Sequence, residues 1–346
     1  MKEKFPGGIF KIMKILAIDT SCDETAAAVT EDMKILSNII WSQASLHAKF
    51  GGVMPSLAKR MHEERIDWVI DRAIKKAKTS FDELDAIAVT IGPGLSIALG
   101  VGIAKAKELA IKYNKKLIAV NHLEGHLFSS LTPDKDVQFP ALGLVISGGN
   151  TILVKINKIG SYEVLAQTSD DALGEALDKA ARMLGLGYPG GAILEQMAKG
   201  GDKTKHALPI PIAGQEKRQI FTYSGLKTAM MREVSKVGIL TREKICDLSA
   251  SFQNSAFKHI ERILKYIFVQ YRFEKTTLLI GGGVSANVEI RSRLRKLCKD
   301  HNIEALFPTS KKLYGDNAAM IGIAAYLNQN YIDPGIIDRK PNLKLS

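Results

Sequence analysis

Two histidines one helical turn apart, His122 and His126 in His-Leu-Glu-Gly-His, are the residues of this chain best placed by type and spacing to do chemistry. Positions i and i+4 share one face of a helix, so a helix here presents two imidazoles to one metal ion. The alternative is a pair of ordinary helix histidines. A carboxylate able to complete the set stands far away in sequence. Asp316, in Gly315-Asp-Asn-Ala-Ala-Met320, precedes a helix rich in small residues and reads either as its N-cap or as a third ligand. A His, His, Asp set leaves open positions for a substrate oxygen, as a reactive metal site needs. A zinc peptidase is disfavoured, because helical motifs read H-E-x-x-H or H-x-x-E-H, and Glu124 at i+2 points about 200° away from His122.

Two turns add to this. Asp19, Ser21, Asp23, Glu24 and Thr25 crowd one short segment. Such carboxylates suit a bound cation or a general base, or else a turn built by side-chain-to-backbone hydrogen bonds. Ser147-Gly148-Gly149 lets backbone N–H groups approach an anion closely, or is a plain hairpin turn. The phosphate loop G-x-x-x-x-G-K-[ST] is absent from the sequence.

These residues need a scaffold to position them. Leu117-Ile-Ala-Val120 reads as a strand, which puts His122 and His126 on the first turn of a helix at the carboxyl edge of a sheet, where open α/β sheets bind ligands. Lys14–Ile18 and Ala26–Val29 read as strands around the acidic turn, and Ala141–Ile146 and Thr151–Val154 as strands around Ser147–Asn150. Leu84–Val89 and Leu278–Ile280 are buried strands, the latter entering Gly281-Gly-Gly283. Helices are expected over 57–78, 96–113, 170–184, 248–268, 287–300 and 317–329. Residues 41–50 read as extended or irregular, 185–191 as a glycine-rich loop and 208–223 as irregular and basic. Small residues along 96–113 predict close approach by another helix, from this chain or a partner.

The 346 residues, 46% hydrophobic, predict two lobes. No run of apolar residues is long enough for a membrane span, and Lys11 and Lys14 break the N-terminal apolar stretch. Cys22, Cys246 and Cys298, an odd set without C-x-x-C, predict a reducing, cytoplasmic setting. The net charge is +12, and residues 199–244 hold ten Lys/Arg against four Asp/Glu, a surplus of six that is half of the total. Such a surface attracts polyanions such as RNA, or is simply a solvated face. Lys227, Arg232 and Lys236 are candidate contacts on charge alone.

Two strand-turn-strand units, one opening each half of the chain, resemble the two-lobe actin/Hsp70/sugar-kinase architecture, an α/β fold of duplicated ribonuclease-H-like domains. That resemblance implies an N-terminal extension 1–13, a first lobe of 14–131 plus 317–346 and a second lobe of 132–316. Further motifs then fall in order: Ala17-Ile-Asp-Thr-Ser-Cys-Asp-Glu-Thr25, Gly51-Gly-Val-Met-Pro55, Gly92-Pro-Gly94, His122–His126, Ser147–Gly149, Asp170-Asp-Ala-Leu-Gly-Glu-Ala-Leu-Asp178, Tyr188-Pro-Gly-Gly191, Tyr223-Ser-Gly-Leu-Lys227, Gly281-Gly-Gly-Val-Ser-Ala-Asn287 and Gly315-Asp-Asn-Ala-Ala319. Together they resemble the TsaD family of tRNA threonylcarbamoyladenosine transferases, over residues 14–330.

The resemblance implies a reaction in which threonylcarbamoyl adenylate donates its acyl group to the N6 amine of the adenosine 3′ of the anticodon, in tRNAs reading codons that begin with A, releasing AMP. It implies one divalent metal per subunit, iron favoured and zinc possible, on His122, His126 and Asp316. It implies adenylate contacts at Val145, Ile146, Ser147, Gly148, Gly149, Asp178, Gly191 and Asn287, and catalytic carboxylates at Asp23 and Glu24. The His-Leu-Glu-Gly-His form is similar to the bacterial branch, which implies partnership with a TsaB-like paralogue, for which helix 96–113 is a candidate contact, and a TsaE-like ATPase. Asp19, Ser56, Met61 and Asn150 depart from the bacterial pattern. A nucleotide hydrolase of the same architecture and a non-catalytic assembly subunit are the competing readings.

Overall fold

The computed structural model describes residues 12–135, 137–271 and 276–345, so residues 1–11 of the expected extension lie outside the described residues. The chain begins with β1 (Lys14–Asp19), β2 (Glu24–Glu31) and β3 (Lys34–Ser42), then α1 (Ala44–Ala48), α2 (Pro55–Ala77), β4 (Ala86–Gly92), α3 (Ser96–Lys112), β5 (Lys116–Asn121) and α4 (His122–Phe128). A second series follows: β6 (Ala141–Ile146), β7 (Thr151–Lys158), β8 (Ser161–Thr168), α5 (Leu173–Met183), α6 (Gly191–Ala198), β9 (Ile220–Phe221), α7 (Ser224–Val237) and α8 (Arg242–Tyr271). It continues through β10 (Thr277–Gly281), α9 (Val288–Asp300) and β11 (Glu304–Leu306), and the chain closes with α10 (Ala318–Leu327) and β12 (Tyr331–Ile332).

Among the described residues the strands form two six-stranded sheets, ordered β12-β5-β4-β1-β2-β3 and β11-β10-β6-β7-β8-β9. The pattern repeats: β1-β2-β3 lie beside parallel β4, as β6-β7-β8 lie beside parallel β10. One compact unit comprises the chain through Ala141, with Ile156–Glu163 and the segment from Leu306 onward; the other comprises Leu142–Lys155 and Val164–Ala305.

In the first unit β4 is buried along its whole length, which explains its unbroken apolar run. Ile66, Val69, Ile70 and Ala73 of α2 and Leu99, Ile103, Ala106 and Leu109 of α3 close one core over it. Helix α10 is apolar all round and buried over Ala318–Ala325, as a helix packed between other elements must be. The small residues of α3 have separate tasks: Ala106 faces the core shared with α2, while Gly102 admits Thr20, whose Oγ lies 2.5 Å from where a Cβ would stand.

The structure differs from the sequence-based expectation in several places, among them strands β8, β9, β11 and β12, which the sequence pattern does not predict, and helix α8, which begins at Arg242 rather than at 248. Residues 41–50 contain the end of β3 and the short helix α1. The half-exposed edge strand β3 lacks the clean alternation that marks a strand. Helices α6 and α7 fall where the sequence pattern predicts none, because glycine and basic residues mask their short apolar faces. Helix α5 starts at Leu173 rather than at 170. Asp170 is drawn away to hold the start of α7, accepting from the Tyr223 N–H at 2.8 Å and the Ser224 hydroxyl at 2.7 Å.

In the second unit His259 of α8 fastens the long basic segment. Its Nε2 accepts the Thr222 N–H at 3.1 Å. Burial lowers its pKa from the ordinary 6.5 to about 4. The folded chain therefore keeps this ring neutral where the unfolded chain protonates it. Stability is expected to fall as pH drops from 6.5 to about 4, by roughly 3 kcal/mol in total. A His259→Gln chain, whose side-chain carbonyl still accepts from Thr222, should lack that component in urea denaturation compared at pH 7 and 4.5.

Candidate metal and adenylate sites

Helix α4 starts where β5 ends. Asn121 caps it, its Oδ1 accepting the Leu123 N–H at 2.9 Å, so His122 and His126 sit on consecutive turns at the carboxyl edge of the sheet. The rings meet edge to face at 4.7 Å. The N-cap of α10 is Asn317, which accepts the Met320 N–H at 3.0 Å, and this leaves the Asp316 carboxylate for the histidines. Asp316 Oδ1 lies 3.4 Å from His122 Nε2 and 3.2 Å from His126 Nε2. The three donor atoms all fall within 4.8 Å of one another.

The two sequence motifs meet because α4 packs on α10. Gly125 allows it: a Cβ there would come within 2.9 Å of Ile321 and 3.1 Å of Met320. Glu124 points off the metal face, as its i+2 position requires, and accepts from the Tyr162 hydroxyl at 2.6 Å and from Asn328 Nδ2 at 2.9 Å. Burial raises the Glu124 carboxyl pKa.

The electrostatics of the triad suit a cation. His126 is fully buried, and neither of its ring nitrogens has a hydrogen-bond partner; the 3.2 Å approach to Asp316 lacks hydrogen-bond direction. Burial holds its pKa below the ordinary value. Burial works against a charged His122 as well, but Asp316 and Asp19 outweigh it and raise its pKa to about 9. Burial likewise opposes the Asp316 charge, and His122 and His126 overcome it, holding that carboxyl well below the usual range. Orphaned buried imidazole nitrogens beside a half-buried carboxylate are the donor set a divalent metal takes.

The acidic turn joins this region. Asp19 is buried, its Oδ2 unpartnered by any hydrogen bond and 3.6 Å from His122 Nδ1. Asp23 is buried and Glu24 half-buried, with the Ser42 hydroxyl 3.0 Å from Glu24 Oε1. Desolvation, then Asp23, then Asp316 push the Glu24 carboxyl well above the ordinary range. Glycines of the Gly92-Pro-Gly94 loop support the turn: Gly94 has φ +157°, and a Cβ on it would lie 2.5 Å from the Ser21 carbonyl oxygen.

The second unit holds the residues expected at the adenylate. Val145 and Ile146 are buried at the end of β6, and Ser147 N–H bonds the Asn150 carbonyl at 2.8 Å to close the turn. A Cβ on Gly148 or Gly149 would meet nothing within 4 Å, and neither has a positive φ, so the protein itself does not require glycine there. Gly174 is the opposite case. Its Cβ would lie 2.6 Å from the Ser147 carbonyl oxygen and 2.8 Å from Gly148 Cα, so glycine is what lets the α5 N-terminus rest on the turn. Gly282, with φ +92°, brings the end of β10 equally close to Ile146. The Gly190 and Gly191 N–H groups both donate to Asp178 Oδ1 at 2.8 Å, tying the glycine loop to α5. Asn287 caps α9 through Oδ1 and donates to Gln253 Oε1 at 2.8 Å, a support that no sequence pattern signals. Of the basic candidates, Lys227 is ion-paired with Asp171, and Lys236 lies 3.2 Å from Glu233.

Comparison with known proteins bears on both units. Residues 34–323 match the family model TsaD: tRNA N6-adenosine threonylcarbamoyltransferase. A Bartonella tribocorum protein of that name is 43% identical over 327 residues, covering 90% of this chain and 89% of its own. A Cyanothece protein of the same name is also 43% identical, covering 92% of this chain and 94% of its own. Among solved structures, component A of the Acidaminococcus fermentans (R)-2-hydroxyglutaryl-CoA dehydratase aligns with TM-score 0.55 at 16% identity, over 91% of this chain and 98% of that one. With the repeated sheet order, this likeness identifies the α/β fold of the two-lobe actin/Hsp70/sugar-kinase class.

Proposed function

Because the chain belongs to the TsaD family, and so is a tRNA N6-adenosine threonylcarbamoyltransferase, we propose that its donor is threonylcarbamoyl adenylate. Its acceptor is the N6 amine of the adenosine 3′ of the anticodon in tRNAs reading A-starting codons. The amine forms a bond to the carbamoyl carbon, the bond from that carbon to the phosphate oxygen breaks with its electron pair leaving on AMP, and the amine loses a proton. The observation that carries this reading is the cluster of buried His122 and His126 with half-buried Asp316, beside the Asp23–Glu24 turn.

Each group has a role in the proposal. His122, His126 and Asp316 hold one divalent metal, iron in preference to zinc, which when bound supplies Lewis-acid polarisation of donor oxygens. Glu24 takes the amine proton, since a carboxyl raised above its ordinary range stands closer to the working pH of a general base. Asp23 orients the donor beside it. The backbone of Val145–Gly149 receives the adenylate phosphate, and Asp178, Gly191 and Asn287 fix its nucleoside. The proposed lobes are 14–131 plus 317–346 and 132–316, whereas the compact units divide the chain after Ala141, around Ile156–Glu163 and before Leu306.

No helix among the described residues is long and apolar enough to cross a membrane, and the proposed setting is the cytoplasm. A TsaB-like paralogue would dock on the open groove between α2 and α3, where Gly100, Val101 and Ala104 face Lys59, Glu63 and Asp67. A TsaE-like ATPase completes the partner set. The test is to supply threonylcarbamoyl adenylate and unmodified tRNA, with both partners present. The expected result is N6-threonylcarbamoyladenosine in the tRNA, with one AMP released per modified base. AMP release that ignores tRNA, with no modified nucleoside, would overturn the reading in favour of a nucleotide hydrolase.

A further inference from the structure

We infer that His62 is a positioning residue: its ring clamps the acidic turn from both sides and so sets the placement of Asp23 and Glu24. The inference rests on the proposed catalytic role of those two carboxylates. His62 lies on α2 and is fully buried. Its Nε2 is 3.0 Å from the Cys22 carbonyl oxygen and its Nδ1 is 2.8 Å from the Thr25 hydroxyl. A carbonyl oxygen only accepts, so Nε2 carries the ring proton. Burial lowers the His62 pKa, which favours the neutral ring. Nδ1 is then bare and accepts from Thr25. One imidazole therefore holds the residue before the acidic pair by its carbonyl and the residue after it by its hydroxyl.

The rest of the turn is held as closely. Gln43 N–H donates to the Asp23 carbonyl at 2.9 Å, and the Ser42 hydroxyl donates to Glu24 Oε1 at 3.0 Å. Gln43 is fixed in turn by His47. The Met54 N–H donates to His47 Nδ1 at 3.3 Å, so His47 Nε2 bears the proton and gives it to Gln43 Oε1 at 3.0 Å. Gln43, His47 and His62 are all fully buried, and none of them belongs to the metal triad. A buried polar network in which each member has a partner rigidifies what it touches. Here every residue from 22 to 25 is gripped, and two of the four grips come from one side chain 37 or more residues away.

The test uses the full chain in the transfer assay as wild type, His62→Ala, His62→Gln and Thr25→Val, beside Asp23→Asn and Glu24→Gln. Amide hydrogen exchange over residues 22–25 and metal content are measured on each. Glutamine can donate to Cys22 and accept from Thr25, so it should restore what alanine loses. His62→Ala is expected to lower kcat between about ten- and a hundredfold, since misplacing a reacting group by about 1 Å costs that much. KM and metal content should hold, exchange in the turn should rise, and His62→Gln should recover most of the rate. Thr25→Val should show the same exchange signature in a chain that keeps the imidazole. Unchanged kcat in His62→Ala, with Asp23→Asn and Glu24→Gln inactive, overturns the clamp and leaves the carboxylate roles standing. Full activity of both carboxylate variants overturns those roles, and the inference with them. Turn amides as protected in His62→Ala and Thr25→Val as in wild type overturn the clamp whatever the rates.

Discussion

His126→Ala is expected to abolish transfer. The side chain is fully buried, its Nε2 stands 3.2 Å from Asp316, and alanine removes one of the three donors that cluster among the described residues. Retained metal, measured by elemental analysis of the purified chain, should fall below about a tenth of the wild-type content, since even the groups that merely orient metal ligands are worth 10- to 100-fold in affinity. The transfer rate should fall by at least about a thousandfold, the loss of several kcal/mol of Lewis-acid stabilisation. The removed ring makes no hydrogen bonds in the fold, so the melting temperature should drop by no more than the lost packing requires. A variant that transfers at the wild-type rate would remove the metal from the mechanism and bring the assembly-subunit reading forward.

The double variant Gly148→Ala/Gly149→Ala is expected to keep its stability and lose its donor. An added Cβ meets nothing within 4 Å at either position, so thermal unfolding should be close to wild type. An adenylate phosphate received by this backbone would be held off by two methyl groups. Each charge-assisted hydrogen bond is worth about 1.5–3 kcal/mol, so losing two predicts a donor affinity lower by about a hundredfold or more. Calorimetric titration with AMP reads the affinity directly. Gly174→Ala supplies the contrast. Its Cβ would strike backbone atoms at 2.6 to 2.9 Å, which cannot yield as a side-chain end can, so this chain should lose stability by roughly 1–3 kcal/mol. Wild-type donor affinity in the double variant would mean that the turn is an ordinary hairpin.

Much of both sites is legible in the amino-acid sequence. The i, i+4 histidines fall on one helix face because that spacing is a property of the helix itself, and Glu124 falls off it for the same reason. Apolar runs ending in polar or glycine-rich turns mark β1, β2, β6, β7 and β10, since strands buried in a sheet need continuous apolar sequence. Edge strand β3 and helices α6 and α7 escape such a reading because half-exposed elements dilute that pattern. The ordered motifs identify the family because so many local requirements rarely recur together by chance.

By itself, then, the sequence determined the chemistry available and the local element carrying each group: imidazoles on a helix, carboxylates on a turn, glycines where a backbone must stay bare. Only the tertiary structure decided which distant groups meet. Asp316 rather than Asn317 faces the histidines, His62 reaches Cys22 and Thr25, Tyr162 and Asn328 hold Glu124, and Gln253 holds Asn287. The physical reason is that periodicity encodes which face of an element is buried, a choice made within a few residues. Which buried polar groups become partners depends on sheet register and helix packing across the chain, and those are settled only when the whole core closes.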